Sequence, residues 1–301
     1  MHKHISMPAD RVTNILIFFL VLLSFMSTNS YAQPKSTEVS FTQLQNRPVV
    51  YIRLNNSEPL LVILDTGLGR GLMLDDKVAK QLNLTALEQQ TVDNLGMGML
   101  NLQRYQSSEA IIGDFRFTID SINGDENLPR MLNMMGEDAQ GNRPVGVLSL
   151  WAFEDLVASI DLMNKTLSLA TEQKLDSRAD NVISYQQTQR LPLFPIEISQ
   201  RSYTAHLDSG SPASLIMPYA MVNDFEYQVE PALKGKAMTA GRDHNIWTAT
   251  LKGKVVFAGI ELDDPEVLFM DGLPQINIGL AMFEQATIVV DTQNHLMEVI
   301  H

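Results

Sequence analysis

The sequence predicts a mainly β chain of two homologous lobes with short helices, and three observations carry that expectation. Two stretches match at a constant offset of 130 residues. Two apolar segments each run into a turn of one kind, Asp65-Thr66-Gly67 and Asp208-Ser209-Gly210. A glycine follows each aspartate after 33 residues, at Gly98 and Gly241. Landmarks repeated in one order describe a duplicated unit.

In the offset match, Val147-Leu148-Ser149, Phe153-Glu154 and residues 161–164 correspond to Asn277-Ile278-Gly279, Phe283-Glu284 and residues 291–294. Both runs end in apolar alternation, at Leu167 and Leu169 and at Met297 and Val299, which predicts an edge or half-buried strand. Asp161 and Asp291 precede Asn-containing turns and are expected to bond local backbone. Upstream, residues 48–54 with 60–64, and 192–198 with 203–207, read as hairpins leading into the two aspartates. Leu72-Met73-Leu74 aligns with Leu215-Ile216-Met217, and a short helical pattern follows each. Asp75 or Asp76 caps the first helix, with Val78 and Leu82 on one face; Pro218 opens the second, with Met221 and Phe225 on one face.

These matches define an N-terminal lobe over 38–173, a polar linker over 174–188 and a C-terminal lobe over 189–301. Two lobes of about 130 residues suit a chain too long for one compact domain. Residues 123–143, broken by Gly124, Pro129, Gly136 and Gly141, read as a surface excursion with one helical turn, its Met131, Met134 and Met135 packing irregularly.

Residues 1–32 read as a secretory signal peptide: Lys3 and Arg11 precede an apolar run from Ile15 to Phe25, and Ser30 and Ala32 stand at −3 and −1 of a cut before Gln33. The alternative is a retained membrane tether, but the run is shorter than the about 20 residues a bilayer span needs. The chain has no cysteine, so an exported protein of this length relies on its core, and a bacterial periplasm is the expected location. Formal charge moves from −13 to −14 when Lys3, Asp10 and Arg11 leave together, which argues against nucleic-acid and anionic-membrane partners. The four histidines beyond the leader lack metal-ligand spacing, so no metal is expected.

Each Asp-Thr/Ser-Gly turn follows a buried-type strand. Glycine permits a tight turn and close backbone approach, while the Thr66 and Ser209 hydroxyls are suited to bonding backbone of the other lobe. The carboxyls of Asp65 and Asp208 are thereby expected to face each other at about 3 Å. Ser211 supplies a hydroxyl beside Asp208 where Leu68 supplies none beside Asp65, which places the more readily ionised carboxyl at Asp208. His206 shares the face of Asp208, two residues away in a strand. A serine-hydrolase reading of Ser209 and Ser211 fails for want of a Gly-x-Ser-x-Gly elbow.

With Ile63-Leu64-Asp65-Thr66-Gly67, His206-Leu207-Asp208-Ser209-Gly210-Ser211, Val147-Leu148-Ser149 and Asn277-Ile278-Gly279 in view, the chain resembles the retropepsin-like and pepsin-like aspartic proteases, as an exported bacterial member with two lobes in one polypeptide. The resemblance implies the bilobed acid-protease fold and an aspartic endopeptidase. Its catalytic residues would be Asp65 and Asp208, supported by Thr66, Gly67, Ser209, Gly210 and Ser211. It implies peptide or protein substrates, no cofactor, and a monomer. One carboxylate would take a proton from water while the other, protonated, bonds the scissile carbonyl. A flap is expected at Gly96, Met97 and Gly98, with Gly241 at the corresponding turn; Tyr105 has no catalytic part. Ser149 and Asn277 depart from the pattern, where a glycine and an apolar residue are usual. The competing expectation is a catalytically silent peptide-binding or scaffolding protein of the same architecture.

N-terminal sequencing of the protein recovered from its native cell is expected to begin at Gln33. A mature product starting at Met1 would reject the leader.

Overall fold

The computed structural model describes residues 35–69, 71–94, 98–188, 191–239 and 242–301. The leader over 1–32, the cut before Gln33, Gln189 at the lobe boundary, and Gly96, Met97 and Gly241 of the expected flap lie outside the described residues. The described chain is mainly β, arranged in three sheets with a few short helices.

The first half contains β1 (Ser36–Ser40), β2 (Thr42–Leu44), β3 (Arg47–Leu54), β4 (Leu60–Asp65), β5 (Leu72–Asp75), β6 (Ala86–Asp93), β7 (Met99–Tyr105), β8 (Ser108–Ile112), β9 (Phe115–Ile119), β10 (Ile122–Asp125), β11 (Gly146–Ser149), β12 (Val157–Asp161) and β13 (Thr166–Ala170). The second contains β14 (Val182–Ser184), β15 (Phe194–Ile198), β16 (Arg201–Asp208), β17 (Leu215–Pro218), β18 (Tyr227–Thr239), β19 (Arg242–Leu251), β20 (Lys254–Phe257), β21 (Ile260–Asp263), β22 (Glu266–Met270), β23 (Ile276–Gly279), β24 (Thr287–Asp291) and β25 (Leu296–Ile300).

One strand order occurs twice. The first sheet runs β6-β7-β10-β5-β11-β4-β3-β8-β9 with β2 beside β3, and the second runs β18-β19-β22-β17-β23-β16-β15-β20-β21. Apart from β2, which has no counterpart, the strands of the two sheets correspond one to one in chain order. The third sheet, β1-β13-β12-β24-β25-β14, takes its strands from both halves and joins them where Ile160 of β12 pairs with Ile288 of β24.

Both hairpins ahead of the aspartates are present, β3 with β4 and β15 with β16. In β4, Leu61, Val62, Ile63 and Leu64 are all buried. A strand covered on both faces reads as an unbroken apolar run, which is what residues 60–64 show. Asp161 accepts from the backbone N–H and side-chain amide of Asn164, both at 2.8 Å. Asp291 does the same with Asn294 at 2.9 and 2.8 Å. Asp75 caps the helix Asp76–Gln81 by accepting from Lys77 N.

Several local expectations are corrected. In that helix the buried face carries Asp76 and Ala79 rather than Val78, with Leu82 packed on the core. After Pro218 the chain winds as a 3₁₀ helix, Tyr219–Asp224, with no side-chain cap at its start. Of the two alternatives for β13 and β25, the edge position is excluded because β1 and β14 cover them. The half-buried reading holds for β13, whose buried Leu167 and Leu169 alternate with partly exposed residues. The polar linker holds β14, because Val182 and Ile183 pair with β25. Residues 123–143 are not simply a surface excursion. Their start belongs to β10, and Leu128, Leu132 and Met135 are buried in a cluster with Ile63 and Val147. Tyr105 is buried and donates to Asp76 at 2.6 Å. No helix among the described residues is long and apolar enough to cross a membrane.

Because the shared sheet ties both halves into one core, Ile160→Ala is expected to cost about 2–5 kcal/mol, the range for truncating a buried isoleucine. It should lower a single calorimetric transition. Two separated transitions in the parent would show that the halves unfold independently.

Candidate functional site

Asp65 and Asp208 end β4 and β16, and each strand end lies beside a parallel neighbour: Ser149 of β11 pairs with Asp65, and Gly279 of β23 with Asp208. The turns that follow interlock. Thr66 Oγ1 accepts from Ser209 N at 2.8 Å, and Ser209 Oγ accepts from Thr66 N at 3.0 Å while donating to Leu64 O at 2.8 Å. Thr66 and Ser209 are both buried, so each exchange satisfies a backbone N–H that water cannot reach.

The glycines allow the carboxyls to approach. A Cβ on Gly67 would lie 2.7 Å from Asp208 Cγ, and one on Gly210 would lie 2.6 Å from Asp65 Oδ2. Each glycine thus sits against the aspartate of the opposite half, and a side chain at either would displace a carboxyl. Asp65 Oδ1 accepts from Gly67 N at 2.6 Å and from Gly210 N at 3.3 Å.

Burial, then the neighbouring charge of Asp208, push the Asp65 carboxyl from 3.8 up to about 8. The Gly67 and Gly210 N–H groups oppose that rise, and a hydrogen bond shared with Asp208 adds to it. Two carboxyls in this contact do not both ionise cheaply. A group raised in the folded state stabilises the fold fully below its unfolded value near 3.8, and that contribution is lost as pH rises through about 8.

The two departures from the duplicated pattern have different outcomes. Ser149 has φ −70° and ψ 135°, ordinary extended backbone. Its hydroxyl donates to Leu68 O at 3.0 Å and accepts from Trp151 N at 3.1 Å. At the equivalent Gly279 a Cβ would lie 2.2 Å from Ala213 O. Glycine is thus needed in the second half through backbone approach, while the first half has room for serine. Asn277 Nδ2 donates to Asp208 Oδ2. The expected part of Ser211 is corrected: its hydroxyl is buried with no hydrogen-bond partner. The side-chain donor on Asp208 is the amide of Asn277.

A cleft of about 420 Å³ opens over the pair, with Asp65, Gly67, Asp208 and Gly210 in its lining. Its apolar wall comes from Leu68, Met73 and the Met131, Met134 and Met135 segment. Asn94 and Leu100 of the first long hairpin and Ala237 of the second border it. Gly98 holds φ 140°, and its carbonyl accepts from Asn94 N at 2.7 Å. Glycine is favoured by that backbone angle.

Two residues in this arrangement escaped the sequence reading. Arg47 Nε donates to Gly210 O at 2.5 Å; burial lowers its pKa, against the pull of Asp208 and Asp65. Trp151 Nε1 donates to Thr66 O at 2.7 Å, clamping the first turn. The position of Arg47 directly before Pro48 at a strand start carried no signal of a cross-chain bond. His206 is buried, with Nδ1 3.0 Å from Gln275 Nε2. Burial lowers its pKa, opposed by Asp208. Among the described residues no cluster of metal-ligating side chains is present.

Gly279→Ser is expected to destabilise the fold by about 1–3 kcal/mol or more through overpacking against Ala213 O, and Ser149→Gly by about 1–3 kcal/mol because it leaves the buried Trp151 N–H unmet. Chemical denaturation of the two variants checks this, and an unchanged stability in either would contradict the account of the strand ends. No protein-family model matches the chain, and a search of curated proteins finds none significantly similar to it.

Proposed function

We propose that the chain is an aspartic endopeptidase that hydrolyses peptide bonds with a water held between Asp65 and Asp208. The observation that carries this reading is the carboxyl pair itself, joined by a hydrogen bond at equivalent strand ends beneath a cleft. Asp208, charged, takes a proton from the water as it attacks the scissile carbonyl. Asp65, still protonated because its pKa is about 8, donates a hydrogen bond to the carbonyl oxygen and stabilises the charge developing there. Interlocked turns keep the two groups from drifting apart, which favours reaction over mere binding.

The cleft supports an extended peptide as substrate. Its Leu68, Met73 and Met131 wall suits a large apolar side chain beside the scissile bond. The hairpins bearing Asn94 and Ala237 border the opening and would cover a bound chain. An exported, periplasmic enzyme is part of the same proposal, supported by the apolar leader and the absence of cysteine, and so is a monomer, because one chain supplies both aspartates.

A peptide-library digest from about pH 3 to 8, the span of shifted carboxyl titrations, tests the proposal with the parent, Asp65→Asn and Asp208→Asn. Each substitution is expected to lower kcat/KM at least about a hundredfold, as loss of a positioned acid or base does, with circular dichroism unchanged. Activity should decline as pH approaches and passes about 8, where Asp65 loses its proton. Equal cleavage by all three proteins would defeat the assignment. No cleavage by folded parent would favour a silent peptide binder.

A further inference from the structure

Val147 and Asn277 hold the same place in the two halves. Val147 pairs with Ile63 and Met73, and Asn277 with His206 and Ile216. In the first half that place is apolar and joins the cluster containing Leu128 and Leu132. In the second it carries a buried amide whose Nδ2 donates to Asp208 Oδ2. The other end of that amide, Oδ1, is buried with no hydrogen-bond partner. An unmet buried acceptor is destabilising. Valine at this strand position would carry no such cost, so the donor end needs a compensating use.

We propose that Asn277 is a positioning residue whose amide makes Asp208 the charged member of the carboxyl pair and leaves the shared proton on Asp65. The proposal rests on the peptidase reading and says how its acid and base are chosen. An N–H donor stabilises a carboxylate more than a carboxylic acid. The titratable and charged groups facing Asp208 are Asp65, Arg47 and His206. Arg47 acts on both aspartates, on Asp208 more than on Asp65, and so favours the same charged member without bonding either carboxyl. His206 is kept toward its neutral form by burial. The backbone N–H groups of Gly67 and Gly210 favour a charged Asp65, but burial and the Asp208 charge outweigh them. Asn277 touches one member of the pair alone and thereby breaks a symmetry that the duplicated strands would otherwise impose.

The test uses the full mature chain with Asn277→Val, the residue the first half carries, and the near-isosteric Asn277→Asp. Carboxyl ¹³C NMR follows the titration of the pair, and kcat/KM is measured against pH on a cleaved peptide. In Asn277→Val the lower titration of the pair, and the acid limb of kcat/KM with it, should move up by about one pH unit, a tenfold change in proton affinity. Asn277→Asp should move it further, since a third carboxyl adds repulsion. A folded Asn277→Val with the titration unmoved overturns the proposal. A downward shift also overturns it, because the amide would then accept from a protonated Asp208. Should Asn277→Val fail to fold, the titration of Asn277→Asp decides, and an unmoved or lowered value again overturns it. If the parent cleaves nothing, the peptidase reading fails, while the NMR titration still decides where the pair carries its charge.

Discussion

The structure depends on one exchange of hydrogen bonds, in which the hydroxyls of Thr66 and Ser209 each accept from the other's backbone N–H. Each such bond contributes only about 0.5–1.5 kcal/mol net. Leaving the buried N–H groups unmet would be costly, so the two turns lock together or not at all. The lock sets the approach of Gly67 to Asp208 and of Gly210 to Asp65. That approach brings the carboxyls into contact and raises Asp65. Arg47 and Trp151 brace the same turns, through Gly210 O and Thr66 O.

Around this lock the duplicated sheets act as rigid holders. Each aspartate stands at the end of a buried strand with a parallel neighbour on one side, so its backbone has little freedom. The third sheet joins the halves through β12 and β24, on the same chain. Side-chain chemistry then departs from the symmetry of the backbone. Ile63 and Val147 in one half stand where His206 and Asn277 stand in the other. A symmetrical frame thus holds an asymmetrical pair, which suits a mechanism that needs one acid and one base.

The first half also carries more chain. Thr66 and Ser209 are 143 residues apart, whereas the later matches are 130 apart. The helical segment from Leu128 to Met135 lies within the extra length. Leu128, Met131, Leu132 and Met135 pack with Ile63 and Val147, Met134 is exposed, and the methionines form one wall of the cleft. The site is therefore apolar on the side of the first half, and its character there comes from residues that have no counterpart in the second.

By itself the sequence determined the mainly β character, the duplicated order of landmarks, the hairpins before Asp65 and Asp208, and the Asx turns at Asp161 and Asp291. These follow from local rules: strand periodicity, glycine in tight turns, and short-range bonding of Asp and Asn. Tertiary structure alone decided that Ser149 is unstrained, that Ser211 does not bond Asp208, that Asn277 does, and that Arg47 and Trp151 brace the turns. It also decided that Met131, Met134 and Met135 line the cleft, and that β14 lies inside the polar stretch 174–188. The bonds made by Asn277, Trp151, Arg47 and the β14 stretch join residues 69 to 163 positions apart in the chain. Distances of that kind are set by strand register and packing, and residue type and spacing along the chain do not encode them.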